Sequence, residues 1–299
     1  MTAATDRQSE ARRVLAGLPR RGDRRRRVIC DAWAALPGSG ALSASRPLPA
    51  VILAGTMRGG TTSLFEYLAQ HPQIVPSRRK EVHFFDLEHG RGAGWYRWQF
   101  RRQRDLRLPR FESTPYYMFE PRAPARMRAV VPDVRVVFLL RDPVDRAFSH
   151  YRKNRRDGRE PLDFAEALAA EDERLAGEEE RLLADPAYVS PLHQHYSYRR
   201  RGHYAEQLAR WRDHYPERQM LVLDAGRLFA HPRATLAAVT EFLGLEPWQP
   251  AALPPHNAGG YDQPVPEPLR GMLEAHFAPH ERRLESLIGW CPSRSREAA

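Results

Sequence analysis

Three short apolar runs, Val51-Ile-Leu-Ala54, Val136-Val-Phe-Leu-Leu140 and Met220-Leu-Val-Leu223, stand out from a chain that is otherwise mixed in polarity. Each is too short for a buried helix and has no alternating polar position, the pattern of an inner parallel strand covered on both faces. Elsewhere the period changes. Tyr204, Leu208, Trp211 and Tyr215 fall at i, i+4, i+7 and i+11, a single apolar helix stripe closed by Pro216. Phe164, Leu168, Leu175 and Leu182, set among many acids, predict two amphipathic helices over 161–183 broken near Gly177. Arg233 to Leu243 and Leu269 to Ile288 read as further helices. Strands alternating with helices predict an α/β fold, a doubly wound parallel sheet flanked by helices in a single domain. The expected domain is 49–290, after a basic tail over 1–48 and before a short tail over 291–299.

The first run leads into Gly55-Thr-Met-Arg-Gly-Gly-Thr-Thr-Ser-Leu64, a glycine-rich turn followed by a helix opening on hydroxyl residues. Such a turn presents backbone N–H groups at a helix N-terminus, where an anion is readily held. The loop nearly fits G-x-x-x-x-G-K-[ST], which makes the expected scaffold P-loop-like. Gly55 and Gly60 have the required separation and Thr62 supplies the last hydroxyl, but Thr61 stands where the lysine belongs. The cation of the loop is Arg58. That shift favours a ligand with one 5′-phosphate bearing a further anionic group over a triphosphate with magnesium.

Downstream, Pro76-Ser-Arg-Arg-Lys-Glu-Val-His-Phe-Phe-Asp86 gathers Lys80, Glu81, His83 and Asp86 beside an aromatic pair. In an extended segment Glu81 and His83 share one side, fit to bind a sugar or to act as a general base. A solvated charged loop anchored by two phenylalanines is the plainer alternative. The second apolar run ends at Arg141-Asp-Pro143, so Arg141 is expected at the carboxyl edge of the sheet, with Ser149 on the following helix. A guanidinium and a hydroxyl suit phosphate oxygens. Pairing with Asp142 or Asp145 is the competing role for Arg141.

Taken in series, the loop Gly55 to Leu64, the stretch Lys80 to Asp86 and the stretch Val136 to Tyr151 resemble the nucleotide-binding and base motifs of the sulfotransferases, in particular the heparan sulfate (glucosaminyl) branch. The likeness runs from about Pro49 to Trp290. It implies a donor, 3′-phosphoadenosine 5′-phosphosulfate (PAPS), and a product, adenosine 3′,5′-bisphosphate (PAP). By the same resemblance, Arg58, Gly59, Gly60, Thr61, Thr62 and Ser63 hold the 5′-phosphosulfate, while Arg141 and Ser149 hold the 3′-phosphate. Glu81 becomes the catalytic base, supported by His83 and Asp86. His83 is the competing base, since imidazole also accepts a proton near neutral pH. Lys80, Asp86 and Trp95 belong to the acceptor side. Arg58 replaces the usual lysine, which makes its role electrostatic. The branch carries a basic loop over the 3′-phosphate, whereas Asn257-Ala-Gly-Gly-Tyr261 has no cation. Gly259, Gly260 and Tyr261 are therefore expected to cover the nucleotide through backbone amides. The acceptor is expected to be a hydroxyl or amine of a carbohydrate, a glycan or a small molecule such as a natural product. A sulfuryl group carries less negative charge than a phosphoryl group, so no metal is expected.

Charge adds one further class. Of a formal net charge of +10, the first 27 residues hold nine arginines against Asp6, Glu10 and Asp23. A nucleic-acid-binding module using that tail is the alternative outside enzymes, but it leaves the Gly55 loop without a purpose. An NTP-dependent kinase on the same P-loop-like scaffold is the alternative within them. Cys30 and Cys291 lie near opposite ends without metal-ligand spacing, and the histidines are not read as a metal set. No run approaches the roughly twenty apolar residues that span a bilayer, and the N-terminus lacks a hydrophobic signal core. A cytoplasmic location without a transmembrane segment is the expectation, and the Arg- and Ala-rich composition points to a bacterial source.

Overall fold

Alternate side chains of the two central strands enter two separate cores. The computed structural model describes residues 46–101, 107–250, 252–254 and 264–293. Its strands are β1 (Val51–Gly55), β2 (Val75–Pro76), β3 (Arg110–Ser113), β4 (Arg135–Leu140) and β5 (Met220–Asp224). They form one sheet in the order β2-β3-β1-β4-β5, with every pairing parallel. Ile52, Ala54, Val136, Phe138 and Leu140 point into one core; Val51, Leu53, Val137 and Leu139 point into the other. This two-sided burial is what the uninterrupted apolar runs require.

Helix α1 (Thr61–Leu68) leaves β1, α2 (Gly92–Trp98) and α3 (Ala123–Val130) flank β3, and α4 (Pro143–Arg156) leaves β4. An acidic section follows as α5 (Phe164–Ala169), α6 (Glu171–Leu175) and α7 (Glu178–Ala184), then α8 (Pro191–His195). Helix α9 (Tyr204–Arg212) precedes β5; α10 (Ala225–Ala230), α11 (Pro232–Leu243) and α12 (Glu267–Ile288) complete the described chain. The predicted stripe is real: Tyr204, Leu208, Trp211 and Tyr215 are all buried in the first core.

Two expectations need correction. β5 is an edge strand, and Met220 to Leu223 are only half-buried, because a short apolar run does not say how many neighbours it has. The acidic section is three helices. Gly177 breaks it in a left-handed conformation at φ 71°, as expected, but a second break falls at Ala170. There the buried Glu171 carboxylate accepts the backbone N–H groups of Arg199 and Arg200, a long-range demand with no local signature.

The expectations for the tail up to residue 45, for Cys30 and for Gly259, Gly260 and Tyr261 lie outside the described residues. Among the described residues no helix is long and apolar enough to cross a membrane.

Candidate functional site

The strand order reverses about β1, and its carboxyl end is therefore where a doubly wound sheet opens a crevice. Thr56 N–H donates to the Leu139 carbonyl at 3.0 Å and Gly59 N–H to the Thr56 carbonyl at 2.9 Å, folding the turn back onto the ends of β1 and β4. A Cβ on Gly59 would stand 2.5 Å from the Leu139 carbonyl oxygen, and Gly60 is left-handed at φ 92°. Both positions need glycine. No side chain caps α1, whose first turn is Thr61, Thr62 and Ser63, and an uncapped helix N-terminus is the kind of backbone that can hold an anion. The Ser63 side chain is itself fully buried against Tyr67, which leaves its backbone to do the binding.

Arg58, also left-handed at φ 71°, donates from Nε to Ser149 Oγ at 2.9 Å, and Arg141 Nη1 donates to the Arg58 carbonyl at 3.2 Å. The sequence reading assigned these residues to opposite ends of a nucleotide; the fold joins them directly. The competing partners of Arg141 are otherwise engaged. Asp142 caps α4 by accepting the Asp145 N–H at 2.9 Å, and Asp145 pairs with Arg270 at 2.7 Å. Among the described residues Arg141 makes no ion pair.

Beneath this group lie residues that sequence reasoning missed. Arg201 is 1% exposed, reaches Met57 Sδ at 3.7 Å and lies under the rings of Tyr116 and Phe119 at 4.8 and 4.9 Å. Burial lowers its pKa to about 9, so it stays cationic at neutral pH. Arg146 is likewise buried, with Nε and Nη1 unpartnered. His150, next to Ser149, is 1% exposed and neither ring nitrogen has a partner. Burial, then the Arg201 and Arg146 charges, press its pKa well below the usual histidine range and keep it neutral. Glu171 acts on both arginines from a distance, but neither makes a direct ion pair among the described residues, and buried cations of this kind fit an anionic ligand. Phe229, 47% exposed, lies close over Gly60, where its ring edges the loop. None of these has a local pattern that sets it apart from an ordinary core or surface residue.

Glu81, His83 and Asp86 come together, but not by the route expected. Glu81 and His83 are left-handed at φ 61° and 59°, so the segment is not an extended strand. Glu81 N–H donates to the Ser113 carbonyl at 2.8 Å and His83 N–H to Thr114 Oγ1 at 3.3 Å, pinning the segment to the end of β3. Non-glycine residues in this region are uncommon and strained, and they collect at functional sites. Glu81 Oε2 then lies 3.8 Å from His83 Nε2, and His83 Nδ1 lies 2.7 Å from Asp86 Oδ2. Lys80 Nζ meets Glu81 Oε1 at 2.9 Å.

The ionisation pattern distinguishes Glu81 from His83. Lys80, then the His83 side chain against the cost of burial, holds the Glu81 carboxyl well below the usual carboxylate range. Burial works against a charged His83, but the Asp86 carboxylate and then Glu81 raise its pKa to about 10. At neutral pH His83 is therefore already protonated and unable to take a proton, while the 42% exposed Glu81 is an ionised acceptor. Asp86 is fully buried in its side chain, does not face solvent and pairs with His83. Trp95 is also buried, packed on Phe84 with Arg79 and Arg91 over its ring, so it serves the core and leaves those cations outside. Glu112, fully buried below the segment, accepts from Tyr96 at 2.6 Å, Thr114 at 2.7 Å and Tyr117 at 3.2 Å. Tyr117 in turn accepts the Phe84 N–H at 2.8 Å. This network fixes the floor on which Glu81 and His83 stand.

Known proteins resemble this chain over most of its length. The sulfotransferase domain family matches residues 48–251. Heparan sulfate glucosamine 3-O-sulfotransferase 3B1 of Homo sapiens is 36% identical over 204 residues, 68% of this chain and 48% of that protein. Heparan sulfate glucosamine 3-O-sulfotransferase 6 of Homo sapiens is 32% identical over 67% of this chain and 54% of its own length. The chain thus spans about half the length of these relatives. The crystal structure of a sulfotransferase from Alicyclobacillus acidocaldarius superposes with a TM-score of 0.66 at 32% identity, covering 84% of this chain and 99% of that one.

Proposed function

Because the chain belongs to the sulfotransferase family, we propose that it moves a sulfuryl group from PAPS to a hydroxyl or amine of a glycan or other carbohydrate acceptor, leaving PAP. The observation that carries this reading is the placement of an ionised Glu81, backed by His83 and Asp86, at the same carboxyl edge as the uncapped glycine loop and its arginines. PAPS supplies an activated sulfuryl group bonded to a 5′-phosphate oxygen. The cradle fits it: glycines where a Cβ would fill the space, a helix N-terminus with no side-chain cap, and buried cations.

Glu81 takes the proton of the acceptor hydroxyl or amine as that atom bonds to sulfur. The electron pair of the breaking S–O bond goes to the phosphate oxygen, where Arg58 and the loop N–H groups hold the growing charge. Arg141 and Ser149 fix the nucleotide's second phosphate, and Phe229 offers an aromatic face beside the loop. His83, charged between two carboxylates, keeps Glu81 aimed and ionised. Positioning and preorganised donors thus supply most of the acceleration.

Replacing Arg141 by alanine is expected to weaken PAP binding by about 10- to 150-fold, the loss of a charge-assisted hydrogen bond worth some 1.5–3 kcal/mol. Equilibrium titration with PAP checks this. The proposed activity is tested by incubating the chain with labelled PAPS and a panel of heparan oligosaccharides, other glycans and small phenols. Acceptor-dependent PAP release with label on a glycan is the expected result; release with no glycan labelled, or none at all, counts against it.

A further inference from the structure

A second polar cluster lies away from the glycine loop, in a cleft of about 350 Å³ between α9 and α12. His203 immediately precedes α9, while His276 and His280 are four residues apart on one face of α12. His203 Nε2 and His276 Nε2 are 3.0 Å apart, and the His280 ring lies flat on His203 with centroids 3.6 Å apart. One nitrogen from each of the three lies within 4.8 Å of the others. The expectation of no metal passed over the His276-x-x-x-His280 spacing, which is visible in the sequence.

We propose that His203, His276 and His280 form a binding site for a zinc-class divalent transition metal that clasps the C-terminal helix α12 to α9. Three imidazoles with a fourth position left to water or a carboxylate is a donor set that zinc favours, with Zn–N distances of about 2.0–2.1 Å. Glu206 stands beside it, with Oε2 3.8 Å from His203 Nδ1 and Oε1 3.3 Å from His280 Nδ1. A carboxylate facing the far nitrogen of a ligating histidine is the usual second support of such sites. His280 tilts off the stack to share an ion, a ring rotation that its half-buried place allows.

The surrounding charge is mixed: Arg200 lines the cleft and works against a charge on His203, while the acids offset the other two arginines. Arg199 pairs with Glu171 and Asp172, and Arg210 pairs with Glu179, so these two guanidinium groups at the cleft are held by acids. Phe277, between the two α12 histidines, already packs so closely on Gly202 that a Cβ there would meet its ring at 2.5 Å. The residue after His203, Tyr204, donates its hydroxyl to the Arg141 carbonyl at 2.8 Å. A clasp here therefore braces the helix that supports the arginine edge of the main site.

The test uses the untagged, chelator-treated full chain titrated with zinc chloride alone, and with cobalt(II) as a spectroscopic probe. One ion per chain, a dissociation constant in the micromolar range or tighter, and visible cobalt bands of a tetrahedral site are expected. The His276→Gln/His280→Gln pair should weaken zinc binding at least about 100-fold and abolish the cobalt bands, and Glu206→Gln should weaken it about 10- to 100-fold. His231→Gln, at the junction between α10 and α11, should bind as the parent does. Both α12 histidines are only partly buried, so the pair should keep its fold, checked by circular dichroism. Binding that survives the paired substitution, or no binding below millimolar zinc, overturns the proposal.

Discussion

Replacing Glu81 by glutamine is expected to lower kcat by about 10²- to 10⁴-fold, the range for loss of a positioned general base, while PAP affinity is unchanged. Glutamine keeps the size and one acceptor oxygen of the side chain but cannot take a proton. The left-handed backbone and the bond to the Ser113 carbonyl belong to the main chain, so the segment should hold its shape. Steady-state kinetics with PAPS, paired with a PAP titration on the same sample, separates chemistry from binding. Full activity in Glu81→Gln together with inactivity in His83→Ala would move the base to His83. The ionisation pattern argues against that outcome, since His83 is held protonated up to about pH 10.

The second large effect concerns stability. Asp86→Asn removes the fully buried carboxylate that lies 2.7 Å from His83 Nδ1, and it should cost about 3 kcal/mol, the lower end for breaking a buried pair because His83 is partly exposed. The pH dependence follows from the sign of the shift. The folded pKa of His83, about 10, lies above its ordinary 6.5, so its pairing contributes in full below the ordinary value. That contribution fades as pH rises through the folded value. The difference between parent and Asp86→Asn should therefore be greatest near pH 6 and shrink on the way to about pH 10. Denaturant midpoints across that range measure it. A difference that grows with pH, or an NMR titration placing His83 near its ordinary value in the parent, would contradict the pairing.

What the sequence made legible follows the length scale of each interaction. The strands β1 and β4 and the glycine loop are local patterns: an apolar run, then glycines at the two points where a Cβ meets the Leu139 carbonyl or φ turns positive. Arg141 was legible because the end of an apolar strand is itself a position in the fold. The direct bond between Arg58 and Ser149 was not, since 91 residues separate them in the chain. Glu81 and His83 were paired for the wrong geometric reason. Alternation along a strand gives the same side, but here two left-handed residues do so, held by Ser113 at the end of β3 and by Thr114 just after it. Arg201, Arg146 and His150 stayed invisible because a buried arginine looks in sequence like any other in a chain rich in them. The edge position of β5 was equally silent, its apolar run reading like that of β4.

The most direct test of the whole account is a calorimetric titration of the chain with PAP and, separately, with ATP and magnesium. The glycine loop without its lysine, joined to Arg58, Arg141 and Ser149, predicts that PAP binds and that an excess of magnesium-ATP does not displace it. Tight, magnesium-dependent ATP binding with no PAP binding would contradict the account and favour a phosphoryl-transfer enzyme.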